Sequence, residues 1–383
     1  MVEPAPTDPA HRAGDVTRGD VVVYRGAAST RPAHDHATCS AIARRLAAIK
    51  GYDFAGDYDA ETAPSRARYF VPLDTLIGVE HARSLGIDGE HDLFGGVAPH
   101  PFVATKCISH ALVDGKARAP AGWSDQFARR VRPAVLRGYT AFGADDALRA
   151  ASRLLAHGPV RIKRALASGG SGQWVVSDRD ALVQVLAGAD PDEVARYGLA
   201  LEQHLEEVTT RSVGQVRVGD LVASYCGTQR LTQNNAGEDV YGGSVLEVVR
   251  GGFDALLART DDPAARRAID QARLYDRAAF ECFTGLLASR RNYDVAQGRD
   301  AAGRARSGVL EQSWRVGGAS GAEVEALAAF CADPTLRSVR ASTNEVYGTE
   351  APIPAGATVY FRGDDARAGP LTKYTMIDRH ADA

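Results

Sequence analysis

One stretch, residues 158–177 (GPVRIKRALASGGSGQWVVS), constrains the fold more than any other part of the chain. It reads as an apolar strand carrying Lys163, a loop of small residues and a second strand. A lysine followed by glycines, whose backbone N–H groups can point to one place, is a way to grip a polyphosphate. No Gly-Lys-Ser/Thr follows, and the next residues favour a strand, so this is not a Walker A loop. The pattern predicts a hairpin lid over phosphates, and the alternative is an ordinary glycine-rich hairpin with a solvated lysine.

The composition narrows the class of protein. The 383 residues are 45% hydrophobic, enough for a large core in two or three domains. The 45 Lys and Arg nearly balance the 48 Asp and Glu, which argues against a nucleic-acid or membrane-surface partner. Five scattered cysteines favour reduced thiols in a cytoplasmic protein. Residues 1–18 are polar and rich in Pro and Ala and predict a disordered leader, and no run is long enough to span a membrane.

The segments before the hairpin predict an N-terminal α/β domain over residues 19–101. A strand at residues 20–24, a helix over residues 38–50 and a strand at residues 68–72 alternate as in an α/β unit. The glycine- and proline-containing residues 95–101 then break the pattern. We therefore expect the first domain to end there.

His34 and His36 flank Asp35 in the loop predicted before this helix. Side chains of this kind can ligate a metal ion. Histidines in a loop before a helix are more often solvated or act as caps. We therefore expect no metal ion at this position.

The rest of the chain predicts a linker, a lid and a core. Residues 102–134 form a linker that begins as a helix, with Lys106 near its start. Residues 135–205 read as strand, helix, hairpin, helix and strand, which together form a lid lobe. Residues 206–383 form an antiparallel core, in which the polar residues 229–243 predict a long loop of the kind that is functional or disordered. The predicted fold class is thus mixed α/β and α+β.

Two predicted core strands each carry a carboxylate near the same end. Asp294 lies in the strand at residues 292–295 and Glu311 in the strand at residues 308–315. Facing strands with this arrangement can hold divalent cations between them. The alternative is a pair of surface acids on a hairpin.

Taken in order, these parts resemble the ATP-grasp superfamily, which includes carboxylate–amine ligases and biotin-type carboxylases. The resemblance covers residues 106–318. It implies that Lys106 and Lys163 bind phosphate, that Asp294 and Glu311 bind Mg²⁺ and that Glu206, Glu207 or a nearby residue meets the ribose. The flexible phosphate loop would consist of Ser168, Gly169, Gly170, Ser171 and Gly172. The hinge that reads the adenine would consist of Glu202, Gln203 and Leu205.

This sequence departs from the superfamily pattern at Ser313, where relatives carry an asparagine that ligates the second metal ion. A serine ligates Mg²⁺ directly or through water, so the departure implies weaker binding at one metal site. Arg315 keeps the position of an arginine that lies over the reacting acyl group. Further acceptor-side candidates, each with a structural loop role as the alternative, are Arg230, Asn234, Asn235 and Tyr241.

The resemblance implies an ATP-dependent ligase that activates a carboxylate as an acyl phosphate for attack by an amine or similar nucleophile. ATP and Mg²⁺ would be its cofactors and small molecules its substrates, with a homodimer left open. The alternatives are a phosphotransferase of the same fold and a nucleotide-binding regulatory protein without turnover. A dinucleotide-binding protein would need a strand–GxGxxG–helix that the sequence lacks. Over its full length the sequence also resembles uncharacterised bacterial proteins of a domain-of-unknown-function type, which supplies no substrate.

Overall fold

The computed structural model describes residues 19–26, 31–62, 64–167, 172–350 and 352–380. The N-terminal part contains a parallel sheet of order β2-β1-β3 with α1 between its first two strands in the chain. Its elements are β1 (Asp20–Tyr24), α1 (Ala33–Lys50), β2 (Asp53–Asp57), β3 (Arg68–Pro72), β4 (Leu76–Ile77), α2 (Val79–Ser84) and β5 (Gly96–Ala98).

Helix α1 begins earlier than its apolar pattern predicts, so His34 and His36 lie in its first turn and not in a preceding loop. Pro32 stands at the N-cap position, and its carbonyl oxygen accepts the N–H groups of Asp35 and His36. The helix ends at Gly51, which has a φ of 66° and donates its N–H to the last turn. The prediction of a loop at the two histidines is therefore wrong.

The helix predicted at the start of the linker is also wrong. Lys106 lies in the second of two 3₁₀ turns, Pro101–Ala104 and Lys106–Ser109, which meet at the extended residue Thr105. The Thr105 side chain accepts a hydrogen bond from the N–H of Cys107. Every residue of the second turn is buried. Its apolar residues thus reflect burial on all sides and not one face of an α-helix. Helix α3 (Asp125–Val131) follows.

The lid is a four-stranded antiparallel sheet of order β6-β9-β7-β8, with helices packed on it. The hairpin predicted around Lys163 is present as β7 and β8. Residues 168–171 of the predicted phosphate loop lie outside the described residues. The lid elements are β6 (Gly138–Ala141), α4 (Ala144–Leu155), β7 (Val160–Arg164), β8 (Gln173–Val176), α5 (Arg179–Ala187), α6 (Pro191–Tyr197) and β9 (Leu199–Gln203).

The described part of the core contains an eight-stranded antiparallel sheet of order β15-β14-β10-β11-β12-β16-β18-β17. Its strands are β10 (Glu206–Val218), β11 (Leu221–Gln233), β12 (Asp239–Arg250), β14 (Arg290–Arg299), β15 (Ala305–Ser313), β16 (Ser338–Tyr347), β17 (Thr358–Asp365) and β18 (Gly369–His380). The other core elements are α7 (Phe253–Ala258), α8 (Pro263–Cys282), β13 (Leu287–Ala288) and α9 (Ser320–Ala332). None of the helices in the described ranges is long and apolar enough to cross a membrane.

The long loop predicted over residues 229–243 is instead the end of a hairpin formed by β11 and β12. Asn234 makes the turn compact, because its side-chain oxygen accepts the N–H groups of Ala236 and Glu238. Gly243 has a φ of 137°, and a Cβ added there would meet the carbonyl oxygen of Thr343 at 2.1 Å. The glycine therefore marks close strand packing and not a loop, which is why composition misleads here.

The N-terminal part and the core share one hydrophobic core. Leu46 of α1 and Val71 of β3 belong to the same buried cluster as Tyr225 of β11 and Leu327 of α9. Strand β13 also pairs antiparallel with β5, which joins the two parts by backbone hydrogen bonds. The N-terminal part and the core are therefore fixed relative to each other.

Candidate active site

A cleft of about 1000 Å³ lies between the lid and the core. The predicted site residues brought to its wall are Lys163, Glu202, Gln203, Leu205, Asp294, Glu311, Ser313 and Arg315. Tyr241, a predicted acceptor-side residue, also lines it. So do Asp35, considered above only beside the two histidines, and Arg31, which the sequence did not indicate. The predicted set from the lid and the core thus meets in one place.

At the hinge end, Lys163 and Glu202 form a buried ion pair. Their side chains are 3% and 1% exposed, and Nζ of Lys163 contacts Oε2 of Glu202. His110 lies on the other oxygen, with Nε2 2.9 Å from Oε1. Burial raises the pKa of Glu202, but the Lys163 charge and the His110 hydrogen bond outweigh it and bring the pKa to about 2. Glu202 is therefore an ionised partner of Lys163, a contact that the sequence did not indicate.

Next to this pair, the cleft has an apolar floor. Leu205 packs with Leu136, Ala296 and Leu310, and all four line the cleft. Gln203 lies beside them and donates its backbone N–H to the carbonyl of Arg137. An apolar surface with a few polar groups at its edge is typical of the pockets that take small-molecule ligands. Glu206 and Glu207, the ribose candidates, do not line the cleft.

Lys106 connects the lid to the carboxylates of the core. Its Nζ lies 2.5 Å from Oε2 of Glu311 and donates to the carbonyl oxygen of Ala167 at 2.8 Å. Ala167 directly precedes the predicted phosphate loop. The amine is therefore placed between that loop and a candidate metal ligand.

Asp294 and Glu311 are direct partners across β14 and β15. Three neutral donors converge on Oδ1 of Asp294: Ser212 Oγ at 3.1 Å, Gln229 Nε2 at 2.8 Å and Asn292 Nδ2 at 3.0 Å. These contacts fix the orientation of the carboxylate.

The two acids are tuned in opposite directions. Burial and the charge of Glu311 raise the pKa of Asp294, although its hydrogen bonds oppose this. Burial would also raise the pKa of Glu311, but the charges of Lys106, Lys163 and Arg315 lower it overall. The cations around Glu311 therefore favour its ionised form.

Ser313 is held by a buried arginine that the sequence did not indicate. Nη1 of Arg290 donates to Oγ of Ser313 at 3.1 Å and to the carbonyl of Arg315 at 2.7 Å. Arg290 is 1% exposed and forms a bidentate pair with Glu323, which is 0% exposed. Arg290 thus positions both candidates, Ser313 and Arg315.

Few side chains near Asp294 and Glu311 could act as metal ligands. Within the described ranges no group of three or more His, Cys, Asp or Glu side chains could hold a metal ion. Two hard carboxylate oxygens on adjacent strands fit Mg²⁺ only if further oxygens come from a bound phosphate or water. The residues present fit such a shared cation.

The acceptor-side candidates separate into two groups. Arg315 lines the cleft, donates to the Val316 carbonyl at 2.9 Å and has Nε 3.9 Å from Asp74. Burial and the neighbouring Arg31 lower the pKa of Arg315 to about 10. Arg230 is exposed, donates to Asn344 at 2.7 Å and does not line the cleft. The structure therefore brings Arg315, and not Arg230, to the other candidates.

Two further candidates have structural contacts at the β11–β12 turn. Asn234 caps the turn, and Asn235 donates to the carbonyls of Ala368 and Pro370. Tyr241 differs from them because its hydroxyl lies at the cleft wall, 2.7 Å from Oγ of Ser244.

Three solved structures have the same architecture at low sequence identity. Carboxyaminoimidazole ribonucleotide synthase from Aspergillus clavatus, complexed with ATP, is 12% identical with a TM-score of 0.52, over 94% of each chain. Biotin carboxylase from Campylobacter jejuni is 10% identical with a TM-score of 0.51, over 94% of this chain and 87% of that one. The biotin carboxylase domain of Hydrogenobacter thermophilus 2-oxoglutarate carboxylase is 14% identical with a TM-score of 0.52, over 94% and 86%. The predicted ATP-grasp fold is therefore confirmed.

A search of curated protein sequences finds no significant match. A family model described as "Protein of unknown function (DUF3182)" matches residues 22–375, most of the chain. The resemblance to proteins of a domain-of-unknown-function type is thereby confirmed. The chain belongs to the DUF3182 family.

Proposed function

We propose that this protein is an ATP-dependent ligase that binds ATP with Mg²⁺ between lid and core. The observation that carries this proposal is the position of Lys106, which contacts Glu311 and the residue before the phosphate loop at once. Such a lysine, together with Lys163 and the Asp294–Glu311 pair, supplies the charges that a triphosphate and its cation require. The balanced overall charge supports small molecules as substrates, and the scattered cysteines support a cytoplasmic location.

In this proposal each residue has a defined role. The floor around Leu205 and Gln203 holds the adenine, and Lys106 and Lys163 neutralise the negative charge of the phosphates. Asp294 and Glu311 hold Mg²⁺, which when bound offsets charge on the transferring phosphoryl group.

The chemistry proceeds in two balanced steps. A carboxylate oxygen held by Arg315 attacks the γ-phosphorus, and the bond to the bridging oxygen breaks to release ADP. A nucleophile then attacks the carbonyl carbon of the acyl phosphate, and inorganic phosphate leaves. Exclusion of water matters most between the two steps because water would hydrolyse the acyl phosphate.

One observation favours a second candidate function, a nucleotide-binding protein without turnover. Ser313 accepts a hydrogen bond from the buried cation Arg290, which makes it a poor ligand for a second metal ion. If catalysis needs two ions, the cleft would bind nucleotide and stop there. A phosphotransferase of the same fold differs from the ligase only in the fate of the phosphoryl group.

Product analysis separates the three functions. We expect ADP and free phosphate in equal amounts when an acid and a nucleophile are present, and ADP alone with a phosphorylated acid for a phosphotransferase. Nucleotide binding without ADP formation would identify the third function. Failure to bind ADP or ATP at all would refute the proposal, and titration calorimetry with ADP measures this directly.

A further inference from the structure

Beyond Arg315, the cleft wall carries a chain of alternating charges from three parts of the molecule. Arg31 and Asp35 come from the start of the N-terminal helix, Asp74 from the loop after β3, and Glu345 and Lys373 from the last core strands. The contacts in order are Arg315 Nε to Asp74 Oδ1 at 3.9 Å, Arg31 Nη2 to Asp74 Oδ1 at 2.5 Å, Arg31 Nη1 to Asp35 Oδ2 at 3.6 Å, Lys373 Nζ to Asp35 Oδ1 at 3.4 Å and Lys373 Nζ to Glu345 Oε1 at 3.1 Å. All of these residues except Asp74 line the cleft.

The pairing within this chain is uneven, and one end is left positive. Arg31 takes Asp74 in a two-nitrogen contact, with Nε at 3.0 Å and Nη2 at 2.5 Å. Within the described residues, Arg315 pairs with that same Asp74, at the longer distance of 3.9 Å. Because one carboxylate serves two guanidinium groups, the Arg315 end carries one positive charge in excess.

The opposite end is left negative. Lys373 is a single ammonium placed between two carboxylates, Asp35 and Glu345. His34 lies beside Asp35, with Nδ1 3.1 Å from Oδ1, and adds a charge only when it is protonated. Arg31 also contacts Asp35, so the row of charges begins with a cation, Arg315, and ends with an anion, Glu345. The wall is therefore neutral in sum but polarised along its length.

We propose that this end of the cleft binds a small zwitterion, an amino acid or similar ammonium-bearing acid. Its carboxylate would lie on Arg315 and its ammonium would point toward Asp35 and Glu345. The inference rests on the proposed function and names the class of acid that is activated. The Arg315 end of the wall lies near Glu311, because the charge of Arg315 favours the ionised form of Glu311. The carboxylate of the amino acid would therefore lie at the phosphate end of the cleft.

The same charges argue against two other kinds of substrate. A phosphorylated substrate would bring two or more negative charges against a wall whose charges already cancel. A small anion such as the bicarbonate bound in the Hydrogenobacter domain would leave Asp35 and Glu345 without a matching cation. Only a ligand with both charges completes both ends.

Direct binding tests the inference without turnover. Protein saturated with ADP and Mg²⁺ is titrated with α- and ω-amino acids of two to six carbons. Each amino acid is compared with the carboxylic acid of equal length that lacks the amino group. We expect at least one amino acid to bind, and its deaminated counterpart to bind at least tenfold more weakly. Equal affinity for both, tighter binding of a phosphorylated acid, or binding of no compound would overturn the inference. Binding of ADP is measured first on the same sample, because its absence would refute the proposed function instead.

Glu345→Gln removes the excess negative charge while keeping a side chain that can accept a hydrogen bond from Lys373. We expect the tenfold preference for the amino acid to fall below threefold, with ADP affinity unchanged. Glu247→Gln is the matched control, since Glu247 is an exposed carboxylate on β12 and lies outside the cleft. If Glu345→Gln does not fold, Asp35→Asn provides the same test. An unchanged preference in the folded variant would contradict the assigned orientation.

Discussion

Arg290 donates a hydrogen bond to the hydroxyl of Ser313 across 3.1 Å, and this contact limits what Ser313 can do for a metal ion. The arginine cannot move away easily, because Glu323 holds it by two nitrogens in a fully buried pair. Two unit charges 4 Å apart at an effective dielectric of 20 repel by about 4 kcal/mol, and a divalent ion doubles this. At the position where the superfamily has an asparagine, this chain therefore has a serine beside the positive charge of Arg290, which disfavours a metal ion there.

We predict one tightly bound Mn²⁺ for each bound non-hydrolysable ATP analogue, and no second ion in Ser313→Asn. The new amide oxygen would accept the hydrogen bond of Arg290 just as the hydroxyl does, so it would add no free ligand. Electron paramagnetic resonance counts the bound Mn²⁺ directly. Asp294→Asn is the comparison, and it should weaken the single ion at least tenfold. A second ion in Ser313→Asn would show that Arg290 does not exclude it.

Lys163→Met should destabilise the lid as well as weaken nucleotide binding, because it leaves Glu202 buried without its ion partner. Removing one member of a buried pair costs about 3–5 kcal/mol. The double change Lys163→Met with Glu202→Gln removes both charges and should recover most of that stability without recovering ADP binding. Hydrogen exchange in β7 and β9 measures the first effect and calorimetry the second. Equal stability of wild type and Lys163→Met would disprove the energetic role of the pair.

The acid stability of the lid should depend on Glu202. Its pKa is about 2 in the folded chain against an ordinary value of 4.5, so the unfolded state takes up the proton first as the pH falls. The stabilisation is therefore complete above pH 4.5 and is lost between pH 4.5 and 2, by about 3 kcal/mol in all. Stability measured over this range should fall more steeply in wild type than in the double variant. Parallel pH profiles of stability for wild type and the double variant would contradict this role of Glu202.

Glu311→Gln should reduce ADP formation at least 100-fold while keeping the affinity for ADP without metal within threefold. The carboxylate acts on the cation and on Lys106, whereas the floor proposed for the base consists of apolar side chains that carry no charge. Steady-state ADP release and calorimetry give the two numbers. Asp239→Asn is the matched control, since Asp239 lines the cleft from β12, which β10 and β11 separate from β14. A large loss of metal-free ADP affinity would mean that Glu311 supports the base site.

The parts of the site that lie on hairpins could be predicted from local patterns in the sequence. The strand alternation around Lys163 and around Asp294 and Glu311 is decided by neighbouring residues, so these strands could be predicted. The same reasoning fails at Lys106, where apolar residues in a helical order form 3₁₀ turns because they are buried on every side. Tertiary burial overrides the local preference there.

The row of charges on the cleft wall beyond Arg315 could not be predicted from the sequence, since its residues meet only in the folded chain. Asp35 and Lys373 are in contact although 338 positions separate them in the chain. Arg290 likewise looks like an ordinary residue at the start of a strand until Glu323 and Ser313 are seen around it. Such pairs have no spacing that a single sequence could reveal.

The lid begins and ends on neighbouring strands, with Gly138 opposite Glu202 in β6 and β9. The chain thus leaves the main body and returns to it at one place, as an inserted module does. If the whole lid were exchanged for that of a structural relative, both new junctions in the chain would lie at that place. Such an exchange would replace the lid residues of the cleft and leave the charged wall formed by Arg31, Asp35, Arg315, Glu345 and Lys373 unchanged.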